Sequence, residues 1–181
     1  TGFDKLDVSQ GFKVTVSQGD TFRVIIRVDD NLIEHMQVVK DGSTLKIGLK
    51  PGRSFRLENA TLEADVTMPE LTGADLAGGG HLGGDVETGD LTFNLSGGSH
   101  VTLSGSAGNL TVDANGGSHA KLADLAVVDA KVEASGGSHV TVHPSGRLDA
   151  VARGGSHVKY LGSPSLGTMD LDGSSFIQQE R

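Results

Sequence analysis

Apolar and polar side chains alternate along most of the chain. In residues 22–28 and 45–49 every second side chain is apolar, and the alternation returns on both sides of several glycine-rich segments later in the sequence. No segment carries a convincing apolar period of 3.6 residues. A period of two is typical of strands that bury one face. The pattern therefore predicts an all-β protein.

From about residue 69 the alternation repeats with a period near 19 residues. Four of the repeats place apolar residues nine, seven and five positions before a histidine, and again one and three positions after it. Such a unit of two short strands cannot bury its apolar face alone, but stacked copies can. The gaps of 19, 19, 20 and 18 residues do not fit the strict multiple of six of a left-handed hexapeptide helix. We therefore expect a right-handed parallel β-helix.

The first part of the chain carries more charge and fewer glycines than the repeat. Segments 17–20 and 40–43 each separate two alternating runs, and this arrangement predicts two hairpins. Because a solenoid end exposes unpaired backbone groups, we expect these hairpins to cover the first coil. The chain is predicted to be one domain, 1–181, with an N-terminal β cap and first coils in 1–68 and the repeat in 69–181.

Five histidines occupy the same place in successive repeats. They are His81, His100, His119, His139 and His157. The last four follow Gly-Gly-Ser, the first follows three glycines, and a degenerate sixth copy has Phe176 instead. Stacking in register would place neighbouring Cα atoms about 4.8 Å apart. The alternation turns the histidines toward solvent and the preceding serines inward or into the corner, so this row is the predicted binding site.

Three interpretations of the row remain open. The first is a surface stack that binds nothing. The second is a metal strip, in which His100, His119 and His139 offer imidazole ligands to Zn²⁺, Cu²⁺ or Ni²⁺. A planar row supplies two ligands per ion, so this would be a weak, opportunistic site and no dedicated cofactor is expected. The third is a polar strip for a glycan or another cell-surface polymer. Repulsion between neighbouring charges also predicts lowered histidine pKa values.

Composition limits the partners. The formal net charge of −8 and the pI of about 5.2 disfavour nucleic acid. Without cysteine there is no disulfide and no thiolate metal site. No apolar run approaches the roughly 18 residues of a membrane span, so we expect no membrane insertion. The chain begins at Thr1 without a methionine, as a trimmed or mature form without its targeting segment would.

A carbohydrate-active β-helix enzyme is the least favoured alternative. Acids lie six residues before the histidine position in four coils, at Asp75, Asp113, Glu133 and Asp170. Asn94 and Val151 interrupt this row, which indicates a solvated face rather than a paired acid and base. We predict no catalytic residues and no enzyme. His35 and His143 are out of phase with the row and are interpreted as ordinary surface or turn histidines.

The arrangement resembles the head GIN domain family of autotransporter adhesins, which are exported bacterial proteins. The resemblance rests on the opening run 3–8, the valine-rich run ending near Asp30-Asn31, the hairpin at 41–47 and the Gly-Ser repeats, and it covers nearly the whole chain. It implies a right-handed β-helix, an adhesive rather than catalytic role, and a location in the periplasm, outer membrane or cell surface. The histidine row is not explained by the family.

Overall fold

The structure is a computed structural model that describes residues 1–50 and 60–180. It is nearly all β, with 64% strand and 4% helix, and forms a β-solenoid of about six turns with a spacing of roughly 19 residues. The predicted parallel β-helix is therefore confirmed. The strands are β1 (Lys5–Val8), β2 (Lys13–Gln18), β3 (Arg23–Val28), β4 (Met36–Asp41), β5 (Thr44–Leu49), β6 (Leu62–Met68), β7 (Gly73–Leu76), β8 (His81–Thr88), β9 (Leu91–Leu95), β10 (His100–Ala114), β11 (His119–Ala134), β12 (His139–Pro144), β13 (Arg147–Ala152), β14 (His157–Tyr160), β15 (Ser165–Leu171) and β16 (Phe176–Gln179).

Two sides of the solenoid are continuous parallel ladders. One side, which we call the histidine face, runs β6-β2-β8-β10-β11-β12-β14-β16 through the starts of the long strands. The other, the second face, runs β5-β1-β7-β9-β10-β11-β13-β15 through their ends. A short 3₁₀ helix, Asp30–His35, precedes β4. No helix in the described ranges is long and apolar enough to cross a membrane.

The core is a set of aliphatic and aromatic columns inside the coils. Along the second face, Phe93, Val112, Val132 and Ala150 lie opposite one another in successive strands, and each is at most 1% exposed. The residues one and three positions after the histidines are buried in the same way in β10, β11 and β12. The inward positions predicted from the alternation are therefore the buried ones. Burial of this apolar surface is the main stabilising contribution to the stack.

The N-terminal strands have a different order in the sheet from the predicted one. The hairpin at 41–44 is present, because β4 and β5 are antiparallel with Asp41 opposite Thr44. The predicted hairpin at 17–20 is wrong: β6 lies between β2 and β3, parallel to the first and antiparallel to the second. Similarly, β1 lies between β5 and β7. The first coil along the sequence is therefore β1–β2, and the later strands β5 and β6 pair with its outer edge.

The variable spacing of the repeat is absorbed away from the histidines. Between β10 and β11 the register shifts after Thr102, and between β11 and β12 it shifts after Leu122. Both shifts lie on the third side of the coil, between the histidine face and the second face. Gaps of 18 and 20 residues therefore leave the histidines directly opposite one another.

Candidate binding face

Each histidine follows a sharp corner made by two glycines. At Gly97 and Gly98 the φ angles are +61° and +75°, a left-handed conformation that glycine adopts without the penalty of a Cβ atom. The first coil makes the same corner with Gln10 at +57° and Gly11 at +78°. Two consecutive left-handed residues turn the chain from the second face onto the histidine face. This local geometry fixes where each histidine begins its strand.

A serine precedes four of the five histidines and closes the corner. Ser99, Ser118, Ser138 and Ser156 are fully buried. The hydroxyl of Ser138 donates to the carbonyl of Ser135 at 2.8 Å and accepts from the amide of Ser118 in the preceding coil at 3.2 Å. The same pattern is present in the next coil, where Ser156 donates to Arg153 and accepts from the amide of Ser138. The serines thus join successive corners through their hydroxyls, and their predicted inward direction is correct.

The five histidines form a straight row. His81, His100, His119, His139 and His157 are the first residues of β8, β10, β11, β12 and β14 and lie directly opposite one another. The first four rings stack nearly parallel, with centroids 4.7–4.9 Å apart and interplanar angles of 1–3°. The row thus has the spacing of the strands themselves.

The stack changes at its C-terminal end. The ring of His157 is turned by 80° relative to His139, with centroids 4.4 Å apart. On its other side it stacks on Phe176 at 3.9 Å. A shallow depression of about 190 Å³ lies beside this break and is lined by side chains of His119, Lys121, His139, Thr141, His157 and Lys159, together with their strands. We call this depression the histidine notch.

Electrostatics disfavour charge within the row. The pKa of His100 is lowered from 6.5, first by burial and then by repulsion from His81 and His119. The pKa of His157 is also lowered, by desolvation and then by repulsion from His139 and Lys159. The Nδ1 atoms of His100 and His119 are enclosed, and that of His119 has no hydrogen-bond partner within the described part of the chain. Nε2 is therefore the ring nitrogen accessible to a ligand at these two positions.

Lysines lie beside the row on the same outward face, and the sequence-based prediction missed them. Two positions after the histidines, the outward row contains Lys121 on β11 and Lys159 on β14, and Lys13 on β2 precedes the row itself. From β2 to β14, neither the histidine row nor the row two positions after it contains an acid. Lys159 pairs with Glu180 at 3.1 Å, whereas Lys121 forms no ion pair with any described carboxylate. The signal was present in the sequence as lysines in phase with the repeat.

The parallel rings are poorly arranged for a shared metal ion. The lone pair of an imidazole nitrogen lies in the plane of its ring, so stacked parallel rings direct their lone pairs side by side rather than toward a common point. This applies to His100, His119 and His139, the predicted metal residues. The described residues contain no group of three or more His, Cys, Asp or Glu that could hold an ion. Opportunistic binding of Zn²⁺, Cu²⁺ or Ni²⁺ stays a prediction.

The acids on the second face lie in one row but make local contacts. Asp75, Asn94, Asp113, Glu133, Val151 and Asp170 are consecutive across the strands. Asp75 accepts a hydrogen bond from Asn94 at 2.6 Å, Glu133 pairs with Lys131 at 2.9 Å and Asp170 pairs with Arg153 at 3.1 Å. The two out-of-phase histidines lie away from the row. His143 lies in β12 with Nδ1 3.1 Å from the carbonyl oxygen of Ala123, and His35 ends the 3₁₀ helix.

A family model matches most of the chain, and solved structures share its fold. Residues 2–164 match the family described as "Putative auto-transporter adhesin, head GIN domain". A crystal structure of a "putative adhesin" from Bacteroides fragilis is similar, with a TM-score of 0.79 and 20% identity over 99% of this chain and 93% of that one. A "putative adhesin" from Parabacteroides merdae gives 0.56 and 14% over 100% and 93%.

A third similar structure has a different description. It is a "putative lipid binding protein" from Parabacteroides distasonis, with a TM-score of 0.54 and 18% identity over 100% of this chain and 94% of that one. At these identities the likeness shows a shared fold. No curated protein matches the chain.

Proposed function

The chain belongs to the head GIN domain family of auto-transporter adhesins, and from this premise we propose that it is a non-catalytic adhesion module whose histidine face binds a cell-surface polymer. Membership of an autotransporter-associated adhesin family indicates an extracellular location. The contact residues are His81, His100, His119, His139 and His157. The polymer is a glycan or a comparable surface chain of repeated units.

The observation that carries this proposal is the straight, in-register row of five imidazoles. It spans roughly 19 Å, four strand spacings of about 4.8 Å, which suits an extended chain better than a small molecule. Within the parallel stack each ring presents an edge that carries a polar nitrogen. Repeated side chains on a solenoid face are a common way of presenting an extended binding surface.

The fold itself does not require histidine at these positions. The same outward position is occupied by Lys13 in β2, by Phe176 in β16 and by Glu63 in β6. Three chemically different side chains are thus accommodated by the same ladder. The row also raises an electrostatic cost, because the pKa of His100 is lowered partly by its two histidine neighbours. A side chain that the backbone does not need and that repels its copies supports a role in binding.

A glycan array with matched variants tests the proposal. The test variant is His100→Thr/His119→Thr/His139→Thr, since threonine favours strands and keeps a polar surface. The control is Thr111→Ala/Lys131→Ala, an outward pair on the second face of the same strands. We expect the wild type and the control to retain the same polymers and the histidine variant to lose them. Equal retention by all three proteins would overturn the role of the histidine face.

A further inference from the structure

Resting on the proposed function, we propose that the polymer is an acidic polysaccharide, and that the histidine notch formed by His119, His139, His157, Lys121 and Lys159 receives one of its anionic groups. The group is a carboxylate, sulfate or phosphate, whose oxygens accept hydrogen bonds from ammonium and imidazole N–H groups.

The notch is lined by basic side chains and by no acid. Its wall contains three imidazoles and two ammonium groups, and no Asp or Glu. Lys121 has no carboxylate within ion-pairing distance in the described ranges. Lys159 contacts Glu180 at the edge, and the side chains of this pair are 42% and 45% exposed, so this contact is weak and exchangeable. An anion is therefore the complementary ligand.

The turned ring of His157 makes this place different from the rest of the row. Between His81 and His139 the parallel rings leave only their edges accessible, whereas His157 stands at 80° to His139. Phe176 supports the turned ring from the other side at 3.9 Å. The break opens a recess of about 190 Å³ at the level of the two lysines. A group that enters it can contact rings from two directions.

The rest of the chain argues for a polymer of moderate charge density. The formal net charge is −8, so the favourable region is local and the whole molecule repels dense polyanions. Duplex DNA carries one charge per about 1.7 Å of axis, far denser than the ~4.8 Å spacing of the row. An acidic polysaccharide with one carboxylate per sugar unit, such as polygalacturonate, spaces its charges more widely than DNA and can lie along the row as a single chain.

Protonation couples to binding of an anion. An anion beside two rings offsets their mutual repulsion, so the bound protein holds more protons than the free protein, and affinity rises as pH falls. The bases on or beside the row are its five histidines, Lys13, Lys121 and Lys159. The acids at its margins are Glu63, Asp65, Asp85 and Glu180, and of these only Glu180 contacts a group of the notch.

Immobilised polygalacturonate, dextran sulfate and neutral dextran provide the test, with binding measured at about pH 7.5 and pH 5.5. The variants are Lys121→Thr/Lys159→Thr and the matched control Lys131→Thr, which removes an exposed lysine on the second face of the same strand. We expect an acidic polymer to bind about tenfold more tightly at the lower pH, and the double variant to lose about tenfold while the control does not. Melting temperatures verify that each variant is folded.

Each contrary result has a distinct meaning. Neutral dextran bound as well as the acidic polymers, or equal losses in the double variant and in the control, would overturn the anionic notch. After either outcome, loss of binding in the His100→Thr/His119→Thr/His139→Thr variant would still support the histidine face. Duplex DNA bound as tightly as the acidic polymers would overturn the assignment to a polysaccharide. Only polymer binding that is indifferent to the histidines, or absent for every polymer, would remove the proposed function as well.

Discussion

The serine row and the histidine row are adjacent in sequence but differ in what the fold needs from them. Ser118 is fully buried, its hydroxyl donates to the carbonyl of Asn115 in its own corner, and its amide donates to the hydroxyl of Ser138 in the next coil. His119, the next residue, leaves its enclosed Nδ1 atom unpartnered among the described residues and stacks against copies that repel it when charged. Repetition alone therefore does not distinguish a residue that the fold needs from one that it does not need, whereas the hydrogen-bond pattern does.

The largest effect should come from the serine row. Replacing Ser138 by alanine leaves the amide of Ser118 and the carbonyl of Ser135 without their partner in a buried corner. We expect the free energy of unfolding to fall by about 1–3 kcal/mol. Urea denaturation of the variant measures this loss. The control is Ser106→Ala, because Ser106 is exposed and forms no side-chain hydrogen bond in the described part of the chain, so its change should stay within about 0.5 kcal/mol. Equal changes would contradict the comparison.

The next effect concerns the pH dependence of stability. Because the pKa values of His100 and His157 are lowered in the folded protein, the unfolded chain, with histidines near 6.5, binds more protons at mildly acidic pH. The stabilisation is complete above about pH 7.5 and is lost as pH falls through about 6.5 toward the folded-state pKa values. We expect the melting temperature to fall between about pH 8 and pH 5. Replacing all five histidines of the row by threonine should flatten this profile, and parallel profiles would count against coupled histidines.

A single change in the middle of the row should have a smaller effect, and its sign should depend on pH. His119→Thr removes two stacked ring contacts, so we expect a destabilisation of at most about 1 kcal/mol near pH 8. The same change removes one of the two neighbours that lower the pKa of His100. Near pH 5.5 the variant should therefore equal or exceed the wild type in stability. Thermal denaturation at both pH values measures the difference, and a pH-independent change would show that repulsion in the row is negligible.

Local pattern was sufficient to predict the repeat but not the order of the first strands. The alternation and the glycine corners identified the coils and put His100 outward and Ser99 inward, because both features depend on residues within one repeat. The turn at 17–20 gave a hairpin signal, yet β6, more than 40 residues later, takes the place between β2 and β3. Insertion of a distant strand is decided by which edges remain unpaired, and no local turn signal contains that information.

The geometry of the histidine face was likewise only partly predictable. Register placed the five residues in a row, but ring planes depend on side-chain rotamers that sequence spacing does not determine. His157 is turned by 80° relative to His139 and contacts Phe176, which stands in place of histidine in the degenerate last coil. The lysines of the notch could have been found by aligning the position two residues after each histidine. What distinguishes the notch from the rest of the row is therefore an end effect of the repeat.

Metal ions should give the smallest effect, and the break in the stack predicts where it occurs. Parallel rings at His100 and His119 direct their nitrogens side by side, while His139 and His157 are the only sequential pair of the row with non-parallel rings. Calorimetry with Zn²⁺, Cu²⁺ and Ni²⁺ near neutral pH should show weak binding at most. Any heat should be reduced more by His139→Ala/His157→Ala than by His100→Ala/His119→Ala. A tight site lost in the His100→Ala/His119→Ala variant would show that the stacked histidines rearrange to bind metal. Their ring nitrogens would then be satisfied by an ion, as the serine hydroxyls are satisfied by hydrogen bonds.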